Sequence, residues 1–344
     1  MAIKRLLIVL LLAAFVMGCR PSPGELHTYQ GETMGTYFSV QWRSGSTQQA
    51  QILREGMDRE LLKLNQSMST YIDDSEISRF NRVPIGVEVD ISSYFADVIT
   101  LALEISKLSR GTFDFTIAPL VNLWGFGPSE TDGKRPEKEA IQALMDTVGY
   151  QYIYLDESGP RLSKRRAAMI DLSAIAKGYG VDQVAEALIE LGQRDFLVEV
   201  GGELRAAGQK TDGSAWKIAI EEPDVAARKV HTVVRLTDLA MATSGDYRNF
   251  FEKDQKRYSH TIDPRTARPI EHALASVTVF HPEAMSADAL ATALNVLGPE
   301  AGLALANAQN LAAFFIVRGD DGALHSLATP AFDSLRVAPQ PISE

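Results

Sequence analysis

Helical and strand periodicities alternate along the chain, and this mixture limits the available folds more than any other feature of the sequence. Apolar spacing predicts helices over 48–64, 90–108, 136–148, 174–191, 286–297 and 299–307. Apolar runs and alternation predict strands over 36–42, 152–156, 161–171, 196–200, 203–207, 216–221, 230–236, 275–280 and 312–317. No internal repeat, low-complexity tract or long linker follows residue 25. The pattern predicts an α+β fold with one composite core.

Composition narrows the possible ligands. Of the 344 residues, 45% are hydrophobic and 23% are charged, as in a globular protein with a large core. The formal net charge of −10 has the wrong sign for a protein held to nucleic acid mainly through phosphates. An anionic small ligand would need a local positive group or a metal ion. The single cysteine excludes an intrachain disulfide framework and a Cys-rich metal site.

The N-terminus has the features of an export signal. Lys4 and Arg5 precede an apolar run over 6–16, which is too short to cross a bilayer as a helix. Residues 16–19 resemble the bacterial lipobox, whose cysteine is lipidated and becomes the first residue after cleavage. We expect a signal peptide over 1–18, a lipidated Cys19 with a tether over 19–28, and a domain over 29–335. The domain would then be lipid-anchored on the periplasmic side of a bacterial membrane. An ordinary buried Cys19 is the alternative.

Asp288 and Thr292 form a candidate metal site. They lie four residues apart on a predicted helix, so their oxygens project from one face. A carboxylate and a hydroxyl in this arrangement suit a hard cation such as Mg²⁺. In the alternative, Asp288 complements the helix dipole after an N-cap at Ser286, and Thr292 packs inward.

The predicted strand-to-helix junction at 171–180 is a candidate phosphate site. It holds Asp171, Lys177 and two glycines, and a buried lysine or a helix start can bind phosphate. The segment is not the dinucleotide-binding glycine motif, because its glycines lie inside the helical pattern. A packed helix whose glycines permit close approach is the alternative.

His260 and two aromatic segments complete the candidates. His260 could act as an acid or base, bind a ligand through a ring nitrogen, or be structural. Residues 111–116 and 124–127 could offer aromatic faces to a flat ring or line a turn in the core.

Taken together, these motifs resemble the ApbE family of FAD:protein FMN transferases. The resemblance is carried in order by segments 33–36, 69–71, 113–114 with 119–127, 171–179, 200–203, 243–248, 259–264 and 287–292. The match runs from about residue 30 to residue 318. It departs at Ala267, where the family often has glycine in a Pro-x-Thr-Gly-x-Pro segment. The resemblance implies an α+β fold with a T-fold-like core of mixed and antiparallel sheets.

The resemblance also implies an activity and its residues. The implied enzyme transfers the FMN half of FAD to a Thr or Ser hydroxyl of a target protein and releases AMP. Its implied targets are subunits of membrane-bound electron-transfer or sodium-pumping complexes. By motif position, the FAD site would be lined by Met34, Tyr71, Thr112, Phe113, Asp114, Asp171, Lys177 and Ile262. Mg²⁺ would bind to Asp288, Thr292 and the backbone carbonyl of Ala174.

This chemistry requires charge neutralisation and in-line positioning at a pyrophosphate. Mg²⁺ would supply the first as a Lewis acid, Lys177 would add a positive charge, and His260 would accept the hydroxyl proton. Two other functions would use the same site. One is a Mg²⁺-dependent FAD pyrophosphatase that yields FMN and AMP, and the other is a flavin-binding lipoprotein without catalysis.

Overall fold

The structure is a computed structural model that describes residues 25–44, 47–128, 136–156, 159–210, 212–224, 229–245, 250–253 and 256–337. The predicted signal peptide, Cys19 and the first part of the tether lie outside the described residues. So do residues 246–248 of the 243–248 motif.

The helices are α1 (Thr47–Met68), α2 (Glu76–Arg82), α3 (Ser93–Leu108), α4 (Ala118–Leu123), α5 (Lys138–Met145), α6 (Ala176–Glu190), α7 (Ala284–Ala308) and α8 (Pro330–Asp333). The first strands are β1 (Glu25–Thr33), β2 (Thr36–Ser44), β3 (Val89–Asp90), β4 (Ile153–Asp156), β5 (Arg161–Lys164), β6 (Phe196–Val200), β7 (Glu203–Ala207), β8 (Trp216–Glu221) and β9 (Val230–Leu236). The later strands are β10 (Leu239–Gly245), β11 (Phe250–Lys253), β12 (Lys256–Ser259), β13 (Ile262–Asp263), β14 (Arg268–Pro269), β15 (Leu274–His281), β16 (Ala312–Arg318) and β17 (Leu324–Ala328).

An eight-stranded antiparallel sheet organises the fold, in the order β1-β2-β6-β7-β10-β15-β16-β17. Alternate residues of its central strands enter two different cores, because successive side chains point to opposite faces. Phe315 packs in the core that contains α6 and α7, whereas Phe314 and Ile316 pack with the β8–β9 hairpin. The mixture of helices with a large antiparallel sheet confirms the predicted α+β fold class.

Helix α7 lies against β10 and β15 and is largely buried. Its backbone leaves helical geometry at Gly298, where φ is 79°, directly before Pro299. Proline removes a helical N–H and clashes with the preceding turn, so it accounts for this kink. The predicted helices over 286–297 and 299–307 are therefore the two halves of α7. Its length and apolar composition alone would let it cross a membrane, but here it is a core helix.

Strand β1 corrects the predicted tether. It begins at Glu25 and pairs with β2 without a break, from Glu25 opposite Ser44 to Thr33 opposite Thr36. Residues 25–28 therefore belong to the sheet, and the domain starts before residue 29. The strand was missed because only alternate residues are partly buried and few of them are strongly apolar.

The predicted strand over 161–171 is also shorter than expected, since β5 ends at Lys164. The buried Lys164 ammonium donates to the carbonyl oxygens of Asn81 and Ala168, at 2.9 and 3.1 Å. Burial lowers the pKa of Lys164. These bonds fold the chain back after β5 instead of extending the ladder.

Candidate active site

A cavity of about 640 Å³ opens beside the starts of α6 and α7, the β6–β7 turn and β8. This volume lies in the range of about 300–1,000 Å³ that is usual for cofactor sites. Ten predicted site residues line it: Thr112, Phe113, Asp114, Asp171, Ala174, Lys177, His260, Ile262, Asp288 and Thr292.

Met34 and Tyr71 do not line this cavity. The Tyr71 side chain is 73% exposed on the surface. Met34 has a φ of 51° and packs partly buried against the core, with its sulfur close to Gly180 of α6. Their predicted contact with FAD stays a prediction.

Gly178 lets α6 and α7 approach one another. A Cβ atom at this position would lie 2.3 Å from the Ala284 carbonyl oxygen and 2.8 Å from Asp288 Cβ. The Gly178 N–H donates to Asp288 Oδ2 at 3.0 Å. Gly178 is the third residue of α6, and the first N–H groups of a helix have no carbonyl partner within it. The Asp288 carboxylate supplies this missing acceptor, and the contact fixes its position.

Asp182 holds the same two helices together one turn farther along α6. Its carboxylate accepts from the backbone N–H groups of Ala284 and Met285, at 3.0 and 2.8 Å. These are donors of the first turn of α7, which a helix otherwise leaves unsatisfied. Arg205 of β7 donates to Asp182 Oδ1 at 3.0 Å. Asp182 thus fixes the start of the helix that carries Asp288.

Lys177 lies between two carboxylates at the cavity wall. Its Nζ is 3.0 Å from Glu203 Oε1 and 3.7 Å from Asp288 Oδ1. Burial alone would lower the pKa of Lys177, but Asp288 and Glu203 outweigh it and raise that pKa above its ordinary value. Lys177 therefore stays positively charged beside the cavity.

Glu203, the last residue of the 200–203 motif, lines the cavity, although the sequence alone predicts no role for it. The glycines Gly201 and Gly202, with φ of 60° and 106°, form the turn that places it at the start of β7. Burial raises the pKa of Glu203 to about 7 against the opposing charge of Lys177. Its Oε2 atom is buried and has no hydrogen-bond partner among the residues that the structure describes. The signal available in the sequence was an acid directly after a Gly-Gly turn.

Asp288, Thr292 and Ala174 carry oxygen atoms, the type of ligand that a hard divalent cation takes. Asp288 and Thr292 are separated by one helical turn of α7, and all three residues line the same cavity. Among the described residues, no group of three or more His, Cys, Asp or Glu side chains is placed to hold a metal. A site with one carboxylate suits Mg²⁺, which completes its octahedron with water and phosphate oxygens.

The 112–116 segment is held by its own polar groups. Asp114 accepts from Thr116 N and Thr116 Oγ1 through Oδ1, and from Tyr150 N through Oδ2, at 2.6–2.9 Å. Burial raises the pKa of Asp114, although these hydrogen bonds oppose the effect. Thr112 Oγ1 donates to the Ala293 carbonyl of α7 at 3.3 Å. The segment is thereby attached to the helix that carries Asp288.

His260 lies on the cavity wall between β12 and β13. Its ring packs edge-on against Phe126, with centroids 6.3 Å apart. The aromatic segment 124–127 therefore supports the histidine, and Phe126 also lines the cavity. The fold thus brings His260 to the same cavity as Asp288, Thr292 and Lys177.

The sequence pattern of the ApbE family matches residues 34–315. The chain belongs to the ApbE family. A Haemophilus influenzae relative named FAD:protein FMN transferase is 43% identical over 299 residues, which cover 85% of this chain and 86% of the relative. A Vibrio cholerae relative with the same name is 41% identical over 318 residues and covers 92% and 94% of the two chains. As a member of the ApbE family, the protein is an enzyme of the transferase class.

Solved ApbE structures share the fold. The flavinyl transferase ApbE of Pseudomonas stutzeri, in its apo form, superposes with a TM-score of 0.84 and 42% identity. The match covers 92% of this chain and 98% of that one. The flavin transferase ApbE of Vibrio cholerae has a TM-score of 0.84 and 40% identity, with 91% and 100% coverage.

Proposed function

We propose that the protein transfers the FMN half of FAD to a Thr or Ser hydroxyl of a target protein, in a Mg²⁺-dependent reaction that releases AMP. The observation that carries this proposal is the position of the Asp288 carboxylate at the cavity wall. It is held by the Gly178 N–H, lies 3.7 Å from Lys177 Nζ, and lines the same cavity as Thr292 and Ala174. The names of the relatives supply the flavin donor and the protein acceptor.

Different residues of the cavity have different roles in the proposed transfer. Asp288, Thr292 and the Ala174 carbonyl would hold the metal, which when bound neutralises pyrophosphate charge. Lys177 adds a positive charge, and His260 accepts the proton of the attacking hydroxyl. The new bond joins that oxygen to the phosphorus of FMN as the bridging P–O bond breaks, and the leaving oxygen departs with AMP. Charged groups that the fold already holds in position stabilise such a transition state, because they do not have to reorient during the reaction.

The proposed location follows from the N-terminal sequence. The basic start, the apolar run and Cys19 support export and lipidation. A lipid anchor on the periplasmic side would keep the enzyme near membrane-bound electron-transfer or sodium-pumping complexes, whose subunits we propose as targets. Processing at Cys19 that is sensitive to globomycin would support this location. A Cys19→Ser protein that still carried lipid would refute it.

The activity is tested by mixing the purified protein with FAD, MgCl₂ and a candidate target domain. We expect a covalent flavin adduct on the target by mass spectrometry, AMP release in equal amount, and loss of both in EDTA. Free FMN and AMP without an adduct would instead indicate a pyrophosphatase. FAD binding that survives EDTA without AMP release would indicate a protein that only binds flavin.

A further inference from the structure

Strand β8 runs along the cavity wall, and one of its two edges pairs with β9. Residues 217–221 are consecutive in the sequence and all line the cavity. Strand β8 pairs with β9 in a two-stranded sheet, and among the described residues no strand pairs with its other edge. A free edge presents a row of backbone N–H and C=O groups that can pair with another extended segment.

The register shows which backbone groups form this edge. In an antiparallel pair, residues directly opposite one another point their N–H and C=O groups either toward each other or both away. Arg235 N donates to the Leu335 carbonyl, and Val233 O accepts from Val337 N, both at 3.1 Å, so these two residues of β9 point away from β8. Their partners across the pair are Lys217 and Ala219. The N–H and C=O groups of Lys217 and Ala219 therefore point to the unpaired edge.

The two outer edges of the β8–β9 hairpin differ in their hydrogen bonding. Residues 335–337 cover the outer edge of β9 through the two hydrogen bonds just described. The edge of β8 has no such cover in the described part of the chain. Trp216 and Ile220 anchor β8 in the second core, whereas Lys217 and Ala219 are exposed. The small Ala219 side chain leaves the backbone at the cavity accessible.

We propose that the unpaired edge of β8 binds the acceptor segment of the target protein as an added antiparallel or parallel strand. This inference rests on the proposed function, which requires a polypeptide hydroxyl to enter the same cavity. Backbone pairing suits an enzyme that modifies a residue within a chain, because it binds extended peptides through groups that every residue carries. Lys217 and Ala219 are about 7 Å apart, the repeat of an extended strand, so they engage alternate residues of the peptide.

The bound strand also presents the reacting group. Side chains alternate between the two faces of an added strand, so one set points into the cavity while the other points to solvent. A Thr or Ser hydroxyl in the first set would reach toward the wall that carries Asp288 and His260. Its O–H proton passes to His260, its oxygen forms the bond to the FMN phosphorus, and AMP leaves with the electrons of the broken P–O bond.

The first test uses the wild-type enzyme and needs no variant that could misfold. The probe is a Thr-containing peptide selected by flavin mass gain from a synthetic library, and each of its amide nitrogens is methylated in turn. We expect kcat/KM to fall about tenfold at alternate positions and to change little between them, because one backbone hydrogen bond is lost at each paired residue. Uniform losses, or none, would overturn the proposal. If no peptide gains flavin and no protein does, both the docking and the proposed function fail.

The second test changes the edge itself. Ala219→Pro removes the outward N–H, and proline is tolerated at edge positions whose N–H does not serve the ladder. We expect KM for the peptide to rise about tenfold more than in the matched Ala219→Val control, which keeps the N–H and suits a strand. FAD affinity is measured in parallel. Weaker FAD binding with an unchanged peptide KM would assign the edge to the dinucleotide and overturn the docking proposal. Unchanged transfer in a folded Ala219→Pro variant would also overturn the docking proposal, while the proposed function would stand.

Discussion

The backbone N–H of Gly178 donates to the Asp288 carboxylate across 3.0 Å and joins two helix starts that are 110 residues apart in the chain. The contact depends on the missing side chain at residue 178, since the two backbones could not otherwise meet. The position of the candidate metal ligand is thus set by a glycine on another helix.

Gly178→Ala tests this dependence. The added methyl group would overlap the Ala284 backbone and Asp288 Cβ, neither of which is a flexible side-chain end. We expect the free energy of unfolding to fall by about 1–3 kcal/mol, as for other overpacked sites, and Mg²⁺ affinity to fall with it. Urea denaturation and calorimetric titration with Mg²⁺ measure the two effects.

Gly180→Ala is the matched control on the same helix. Its added Cβ would meet Met34 Sδ at 3.4 Å and Leu64 Cδ1 at 3.7 Å, which are ordinary contacts. Alanine also favours a helix interior by about 1 kcal/mol over glycine. If the two variants proved equally stable and bound Mg²⁺ equally well, the close approach at Gly178 would not control the site.

Asp288→Asn separates charge from packing. The carboxamide oxygen can still accept from Gly178 N–H, and Lys177 keeps Glu203 as a partner. We expect the fold to survive and Mg²⁺ affinity to fall by at least about tenfold, because an anionic ligand is lost. Isothermal titration measures the affinity, and AMP release from FAD measures the accompanying loss of turnover.

The control for this charge is Glu199→Gln. Glu199 also lines the cavity, but it lies on β6 and not on α7, and its carboxylate accepts from Tyr37 Oη at 2.6 Å. We expect this variant to bind Mg²⁺ as the wild type does. Equal losses in both variants would point to the general charge of the cavity rather than to a metal ligand at Asp288.

The sequence predicted those site features that are local. The spacing of Asp288 and Thr292 placed both on one helix face, and the structure puts both on the cavity wall. Runs of apolar residues likewise predicted β15 and both halves of α7, since a buried element carries such runs. The predicted metal site itself stays a prediction.

The features that were missed depend on tertiary contacts. The pairing of Glu203 with Lys177 arises only because the β6–β7 turn meets the start of α6. Asp182 satisfies the first turn of α7 from a different helix, so no capping pattern in the sequence of α7 could indicate it. Spacing along the chain holds no information on such distances.

Because the pKa of Glu203 is raised, we expect the free energy of unfolding of the metal-free protein to depend on pH. Burial raises its pKa to about 7, whereas the unfolded chain should show an ordinary value of about 4.3. Between these values the folded state holds a proton that the unfolded state has lost. The contribution to stability is therefore complete below about pH 4.3 and is lost as the pH rises through 7, with a slope of up to about 1.4 kcal/mol per unit.

The measurement compares urea unfolding of wild type and Glu203→Gln in EDTA at intervals from about pH 5 to pH 7. Groups distant from residue 203 titrate equally in both proteins, so the difference between their free energies of unfolding reports Glu203 together with the Lys177 and Asp288 charges coupled to it. We expect the free energy of unfolding of Glu203→Gln to increase relative to that of the wild type as the pH rises. If the free energies of unfolding of the two proteins changed in parallel with pH, Glu203 would already be ionised at pH 5 in the folded protein, because the Lys177 charge stabilises its carboxylate.

His260→Gln tests the proposed proton acceptor. The amide approximates the size and polarity of the imidazole beside Phe126 but cannot take up the proton of the attacking hydroxyl. We expect kcat for FMN transfer to fall by about 10²–10⁴-fold, the usual contribution of general base catalysis, and the acidic limb of the pH–rate profile to disappear. His325→Gln on β17 serves as the control, because this histidine is exposed and does not line the cavity.

A His260→Gln enzyme with the wild-type rate and pH profile would show that another group is the base. A rise in KM at unchanged kcat would instead make His260 a residue that positions substrate, since a base acts only as the hydroxyl oxygen attacks phosphorus.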